Sequence, residues 1–158
     1  MDAVSPAAAP SPEAVTTPTA GPFPAPQVDG FLQSLVDLMN RTPLEVGITL
    51  SVNGLTISGM MISGRRYFEM LGDSVASSLT DQPTIAESLR QYCSMPASLY
   101  PAAGETADAD RPPPFFIHLR DARIFHNSGA PLPTNQGVLW RGKLTDVSGF
   151  FIGSMSQL

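Results

Sequence analysis

Apolar residues recur at helical spacing in the first stretch that follows the proline-rich start of the chain. Positions i, i+3, i+4, i+7, i+8 and i+11 of this stretch are Val28, Phe31, Leu32, Leu35, Val36 and Met39. This spacing predicts an amphipathic helix of about three turns. Pro43 is expected to end the helix because proline lacks a backbone donor and clashes with the preceding turn.

The next stretch changes to a period of two, which is typical of a strand with one buried face. Asn53-Gly54 follows, and this dipeptide accepts the positive φ angles of a type I′ hairpin turn. A two-residue turn there pairs Val46 with Met61, Ile48 with Gly59, Leu50 with Ile57 and Val52 with Leu55. All these residues then share one face of a hairpin. Gly59 is expected to mark a bend, a bulge or a close packing contact with the first helix.

A helical insertion is predicted after the hairpin. One apolar stripe follows Ser63, a suitable N-cap, and consists of Tyr67, Phe68, Leu71, Val75 and Leu79. A shorter stripe follows Thr84 and Glu87, which have capping-box spacing, and consists of Ile85, Leu89 and Tyr92. Residues 96–114 contain five prolines and several acids. We expect them to form an exposed, mobile, acidic and proline-rich loop.

The C-terminal third alternates again. Residues 115–119 and 122–125 indicate a strand pair or one bent strand, interrupted by the polar Arg120-Asp121. Residues 138–145 and 150–155 supply the remaining strands. We therefore predict an α+β fold with a twisted antiparallel sheet of about five strands, an N-terminal helix and a helical insertion between strands 2 and 3. An open barrel of the Sm or SH3 type stays an alternative.

Length and composition fit one domain. The chain has 158 residues, and 7 of its 16 prolines lie before residue 27. A segment so rich in proline, alanine and serine buries too little apolar surface to offset its ordering entropy. We therefore expect residues 1–27 to be a disordered tail and residues 28–158 to be a single domain.

Charge, cysteine content and hydropathy narrow the function classes. The net charge of −5 disfavours nucleic acid as a partner. A lone cysteine, Cys93, excludes an internal disulfide and suggests a reducing compartment such as the cytoplasm. No apolar run approaches the roughly 18–20 residues of a membrane span, and residues 1–28 lack the Lys or Arg that would begin a signal peptide.

No catalytic, cofactor or metal site is predicted. His118 and His126 have no Cys or acid at a metal-ligand spacing, and nothing marks Cys93 as a nucleophile. We expect His118 to be a partly exposed histidine that shares a strand face with Phe116 and Arg120. Trp140 is expected to pack in the core, and alternation along its strand puts Arg141 and Lys143 on the opposite face. The protein is therefore predicted not to be an enzyme.

The distribution of charge along the chain is uneven. Residues 1–110 carry 4 basic and 12 acidic groups, whereas residues 111–158 carry 5 basic and 2 acidic groups. Four of those cations lie in the C-terminal strands: Arg120, Arg123, Arg141 and Lys143. They form a candidate surface for an acidic partner, including the acidic part of another copy. An ordinary solvated face is the alternative interpretation.

Several short blocks occur in an order that is similar to a known family. They are Gly47-Ile-Thr-Leu50 with Asn53-Gly54 and Ile57-Ser-Gly59, Tyr67-Phe68-Glu69, Ile117-His-Leu-Arg-Asp-Ala122, and Trp140-Arg-Gly142 with Val147-Ser-Gly-Phe150. Together they resemble the gas vesicle accessory protein U (GvpU) family over roughly residues 28–158. The tail and the segment 96–114 lie outside the resemblance.

The resemblance implies a non-enzymatic cytoplasmic protein that works with gas vesicles. It also implies a role in vesicle assembly or clustering through self-association and contact with the vesicle shell. An alternative is a small Sm-like barrel that binds RNA, although the net charge and the single lysine, Lys143, count against it. An enzyme or small-ligand carrier ranks last because it needs a concave apolar pocket.

Overall fold

The structure, a computed structural model, describes residues 27–105, 111–126 and 130–155. These residues contain three α-helices, two 3-10 helices and five strands. In chain order they are α1 (Gly30–Arg41), β1 (Val46–Val52), β2 (Leu55–Ile62), α2 (Gly64–Ser77), α3 (Pro83–Ser94), η1 (Met95–Leu99), β3 (Phe116–Phe125), β4 (Val138–Lys143), η2 (Leu144–Asp146) and β5 (Val147–Ile152). The predicted tail falls outside the described residues except for Gln27.

The predicted N-terminal helix is confirmed. It begins after Asp29, whose carboxylate accepts a hydrogen bond of 2.8 Å from the backbone N–H of Leu32. It ends at Arg41, two residues before the proline that was expected to stop it. Its buried face packs on the sheet through Leu32, Val36 and Met39. Phe31 belongs to the predicted stripe but lies on its flank and is 67% exposed.

The predicted hairpin is also confirmed. β1 and β2 pair in the predicted register, from Val46 opposite Met61 to Val52 opposite Leu55. The turn residues Asn53 and Gly54 have φ angles of 50° and 82°. Local turn chemistry and the burial pattern therefore specify the same register.

The sheet is antiparallel, with strand order β4-β3-β2-β1-β5. β4 and β5 are its two edges, yet only the three residues of η2 separate them in the chain. Four strand spacings of a flat sheet would put the edges about 19 Å apart, whereas a three-residue 3-10 helix spans about 6 Å. The sheet must therefore curl, although the described residues form no ladder between β4 and β5.

The concave face of this curled sheet holds the core. α1 covers it, and the buried cluster joins apolar side chains of α1, of β1 to β3 and of η2. Its members are Leu32, Val36, Met39, Ile48, Leu50, Val52, Ile57, Met61, Ile117, Leu119, Ala122 and Leu144. Trp140 packs against the cluster, as predicted. The opposite, convex side is called the outer face below.

β3 is one bent strand rather than a strand pair. The bend coincides with Asp121, whose φ is 51°, and with register shifts in both of its ladders. On β2 the shift falls at Gly59, where a Cβ atom would lie 2.9 Å from the carbonyl oxygen of Arg120. Of the three expectations for Gly59, the bulge is the one that the structure shows.

The helical insertion between β2 and β3 is confirmed, with one error. The Ser63 hydroxyl caps α2 by accepting from the N–H of Arg66. α3 has no side-chain cap, and Thr84 lies inside it, so the predicted capping box is wrong. Its apolar stripe is exposed rather than buried, because α3 packs on α2 through Ala86 and close to Gly72 and turns the stripe outward.

The segment after α3 is more regular than predicted. Residues 95–99 form η1, and the Arg65 guanidinium donates to the carbonyl oxygens of Tyr100 and Pro101 at 2.8 and 3.1 Å. Further on, the N–H of Gly104 donates to the carbonyl of Arg41. The side chain of Gln33 donates to the carbonyl of Pro114. Both ends of residues 105–113 are thus tied to α1, while residues 106–110 lie outside the described chain and their mobility stays a prediction.

Candidate partner-binding face of the sheet

The four cations singled out from the sequence lie on the outer face of the sheet. Ile117 and Leu119 of β3 are buried in the core, so the alternating residues of that strand point the other way. Arg141 is paired with His118 and Lys143 with Phe116, which places both on the same side. After the bulge, Ala122 returns to the core and Arg123 faces outward. The bend in β3 is what keeps Arg120 and Arg123 on one face despite their odd spacing.

Arg120 is already engaged within the molecule. Its Nη2 and Nε atoms donate to one carboxylate oxygen of Glu45 at 2.6 and 2.8 Å. It also pairs with Asp121, and Arg66 of α2 reaches the other oxygen of Glu45 at 3.4 Å. The hydrogen bond from Arg120 is the main reason why the pKa of Glu45 is lowered. This network ties the start of β1 to the bend of β3 and to α2.

Arg141 lies between two aromatic rings. Its guanidinium carbon is 3.5 Å from the centroid of the Phe116 ring and 5.7 Å from that of Phe68. The side chain as a whole remains exposed. A cation over an aromatic face is held by the ring quadrupole while it still presents N–H donors to a partner.

His118 is buried rather than partly exposed, and the sequence expectation for it is wrong. It is 1% exposed because α2 and the segment after η1 cover that end of the outer face. The rings of Tyr67, Phe68 and Tyr100 lie 4.9, 5.9 and 5.4 Å from its own. Burial, with a smaller contribution from the Arg141 charge, lowers the pKa of His118 to about 3.

The hydrogen bonds of His118 fit a neutral ring. Its Nε2 atom accepts from Nε of Arg141 at 3.3 Å and lies 3.4 Å from the Tyr100 hydroxyl. An accepting Nε2 places the ring proton on Nδ1, which is buried without a hydrogen-bond partner. The ring therefore orients Arg141 by accepting from it.

Arg123 and Lys143 complete the face. Arg123 is half-buried, with a buried Nε atom that has no hydrogen-bond partner, while Lys143 is exposed next to Phe116. Among the described residues neither forms an ion pair within 4 Å. The uncompensated positive charge is thus at Arg123, Arg141 and Lys143. Such a face can take carboxylates by charge-assisted hydrogen bonds.

Other candidate chemistry is sparse in the part of the chain that the structure describes. No group of three His, Cys, Asp or Glu residues there could hold a metal ion. His126 is exposed just after β3. Cys93 lines an open apolar hollow of about 320 Å³ beneath α3, together with Phe68, Leu71, Tyr92, Met95 and Pro96. Within the same residues no helix combines the length and the apolar character needed to cross a membrane.

Two features of this region could not be read from the sequence. One is the aromatic cover of His118, which brings together α2 and Tyr100 from a segment that was predicted to be a loop. The only signal in the sequence was Gly64, where a Cβ atom would lie 2.1 Å from the Tyr100 ring. The other is the pairing of Arg120 with Glu45, which are 75 residues apart.

Comparison with protein-family models matches residues 29–155 to the family described as gas vesicle protein GvpU-like. Neither a curated protein nor a solved structure gives a significant match. The matched range extends from the N-cap of α1 to the residues that follow β5, so it includes every described helix and strand as well as the four cations. The chain therefore belongs to the gas vesicle protein GvpU-like family and is a gas vesicle accessory protein.

Proposed function

We propose that this protein supports gas vesicle assembly or clustering in the cytoplasm, by self-association and by contact with the vesicle shell, without catalysing a reaction. The observation that carries the proposal is the outer face of β3 and β4, where Arg123, Arg141 and Lys143 present positive charge without internal ion pairs among the described residues. Arg120 belongs to the same face but contributes less, because Glu45 and Asp121 compensate its charge.

The uneven charge supports a partner that is acidic. The face lies in the C-terminal third of the chain, which has an excess of cations, whereas residues 1–110 carry a net charge of −8. Acidic groups of a second copy or of the shell surface would therefore be attracted to it. Contacts of this kind are individually weak, and several copies on one vesicle would strengthen them by multivalency.

Flotation of isolated gas vesicles tests the proposal directly. Full-length protein is mixed with vesicles at low salt, and the fraction that floats with them is measured. Arg141→Gln/Lys143→Gln should retain less than a fifth of the wild-type signal. Arg90→Gln/Arg111→Gln removes the same charge away from the face and should bind like wild type. Binding should also weaken as salt rises, because exposed charges are screened within about 10 Å at 0.1 M.

Two results would contradict the proposal. One is a wild-type protein that does not float with vesicles at any salt concentration. The other is equal loss of binding in both double variants, since net charge alone would then explain the contact. A truncated protein that starts at Gln27 shows in the same assay whether the proline-rich tail contributes to clustering.

RNA binding is the second candidate, and one observation favours it: a cation packed on an aromatic ring of an open sheet, as in Arg141 and Phe116, can also contact unpaired bases. The net charge of −5 argues against it. A filter-binding titration with single-stranded RNA at two salt concentrations separates the two functions. Tight binding with a steep salt dependence would favour RNA.

A further inference from the structure

Among the described residues β5 pairs with another strand, β1, on one side only. Gly153 donates its N–H to the carbonyl of Gly47 across the β1–β5 ladder at 2.7 Å. Successive residues of an antiparallel strand point their backbone N–H and C=O groups to alternate sides. The backbone groups of Phe151 therefore also face β1, while those of Phe150 and Ile152 face away from it. Within the described ranges no strand lies on that side. A hollow of about 270 Å³ is lined by Asp29 and residues 147–150.

The two edge strands of the sheet are not equally protected against pairing with a further strand. β4 carries Arg141 and Lys143, and its ladder with β3 is interrupted by the register shift. Charged residues and irregularities of this kind discourage pairing with another strand. In contrast, residues 147–158 contain no charged side chain, and Phe151 and Ile152 are 55% and 54% exposed. β5 is therefore the edge on which a strand can be added.

The sequence around β5 reads nearly the same in both directions. Phe151 stands at the centre, and the flanking pairs are Phe150 and Ile152, Gly149 and Gly153, Ser148 and Ser154, and Val147 and Met155. Each pair matches in size and polarity. Two antiparallel strands related by a two-fold axis pair each residue with its mirror position, so such a sequence is complementary to itself.

We propose that β5 pairs antiparallel with β5 of a second copy, with the two-fold axis at Phe151. This inference rests on the self-association in the proposed function and names its surface. Phe150 and Ile152 of each copy then exchange about four backbone hydrogen bonds in total. Phe151 meets Phe151 of the second copy as a close aromatic pair on the outer face. Phe150 meets Ile152 of the second copy on the other face.

Phe31 extends this contact. It is 67% exposed, although its ring stacks on that of Phe150 with 6.2 Å between centroids. In the proposed pair it lies beside Ile152 of the second copy. The exposed apolar side chains of Phe31, Phe151 and Ile152 are then all covered. The ladder is short because Gly153, with φ of 126°, turns the chain away from the edge. The dimer is accordingly weak and forms with rising concentration.

Sedimentation equilibrium of the full-length protein, without vesicles, measures this association. Phe151→Lys and Ile152→Lys place like charges next to the axis and should weaken dimerisation at least tenfold. Leu44→Lys is the control. Leu44 is 55% exposed, as Phe151 is, but lies away from the edge, so this variant should leave dimerisation unchanged. Circular dichroism establishes that all variants are folded. A dimer that Phe151→Lys and Leu44→Lys affect equally, or a wild-type protein that stays monomeric, overturns the proposal.

Disulfide formation tests the register. In a Cys93→Ser background, Phe151→Cys should yield a cross-linked dimer under mild oxidation, because residues directly opposite in a non-hydrogen-bonded pair are close enough for a disulfide. Ile152→Cys should yield at least fivefold less, since residue 152 faces residue 150 of the second copy. Equal yields, or none for Phe151→Cys, would contradict this register.

The inference can fail independently of the proposed function. Protein that floats with vesicles while Phe151→Lys has no effect on dimerisation overturns only the β5 pairing. Protein that dimerises through β5 and does not bind vesicles overturns only the shell contact. Salt gives a further distinction. The paired residues of β5 carry no charged side chain, so their association should not weaken at high salt, unlike the contact made by the cations.

Discussion

The guanidinium carbon of Arg141 lies 3.5 Å from the centroid of the Phe116 ring, on the outer face of the sheet. The ring supports the cation from one side, and His118 accepts a hydrogen bond from its Nε atom. An arginine on an open strand surface would otherwise sample many rotamers. Here two neighbours limit its motion, so less conformational entropy is lost when a partner binds.

Replacing Arg141 separates its charge from its stacking. Arg141→Lys keeps the charge but loses the planar contact with Phe116, so stability should fall by about 0.5–1 kcal/mol. Vesicle flotation should fall less than in Arg141→Gln, which loses both. Urea denaturation and flotation measure the two effects, and Lys143→Gln, which should leave stability unchanged, serves as the control. Equal flotation of Arg141→Lys and Arg141→Gln would show that charge is not what binds.

The buried His118 should make stability depend on pH. Its pKa is about 3 in the folded protein and about 6.5 when unfolded, so between these values the unfolded chain holds the extra proton. The free energy of unfolding therefore falls as pH is lowered through this window. Between pH 7 and pH 5 the loss is about 2 kcal/mol. Urea denaturation at pH 7, 6 and 5 measures it.

His118→Phe is the matching variant, because phenylalanine keeps a ring in the same place and takes no proton. Between pH 7 and pH 5, the free energy of unfolding of His118→Phe should therefore fall by about 2 kcal/mol less than that of the wild-type protein. The pKa of Glu45 is lowered as well, and the stability it contributes is lost at still lower pH in both proteins. Parallel pH profiles for the two proteins would show that His118 is not buried as a neutral ring.

A side chain at position 64 should displace Tyr100. The Cβ atom of Gly64→Ala would lie 2.1 Å from that ring, so the tyrosine must move from its place beside His118. We expect a loss of about 1–3 kcal/mol, as for other overpacked sites. Gly30→Ala is the control, because it is also helical and its Cβ would contact nothing within 4 Å. Thermal unfolding of both variants gives the comparison, and equal shifts would contradict the expectation.

Removing the charge of Glu45 should release Arg120 to external partners. Glu45→Gln weakens the hydrogen bonds from Arg120 and the contact with Arg66, at a cost of about 1 kcal/mol. Arg120 then keeps Asp121 as its ionic partner but loses Glu45, so the outer face becomes more positive and flotation at low salt should rise. Asp37→Asn removes an acid that pairs only with Arg41 among the described residues and should leave flotation unchanged. A decrease in flotation for Glu45→Gln would contradict the role assigned to this face.

Local signals predicted most of the fold. The hairpin register followed from Asn53-Gly54 and a period of two, because turn type and burial act within a few residues. The helix boundaries at Ser63 and before Pro43 had equally local causes. The exposed stripe of α3 could not be foreseen in this way, since periodicity shows that a helix has an apolar face but not what covers it.

The candidate site was only partly predictable. Alternation placed Arg141 and Lys143 on the face opposite Trp140, as the structure shows. The environment of His118 depends instead on long-range packing of α2 and the segment after η1, which no spacing within β3 reveals. The difference between Arg120 and the other cations likewise arises from a partner 75 residues away.

The two attachments to α1, one through Gly104 and one through Pro114, hold the chain on both sides of residues 105–113. A tether closed at both ends by fixed anchors is insensitive to its own length, because doubling the number of residues costs only about 0.6 kcal/mol. A reporter peptide or a short epitope spliced in between residues 106 and 110 should therefore leave the melting temperature nearly unchanged. An insertion there changes no residue of the cationic face or of β5.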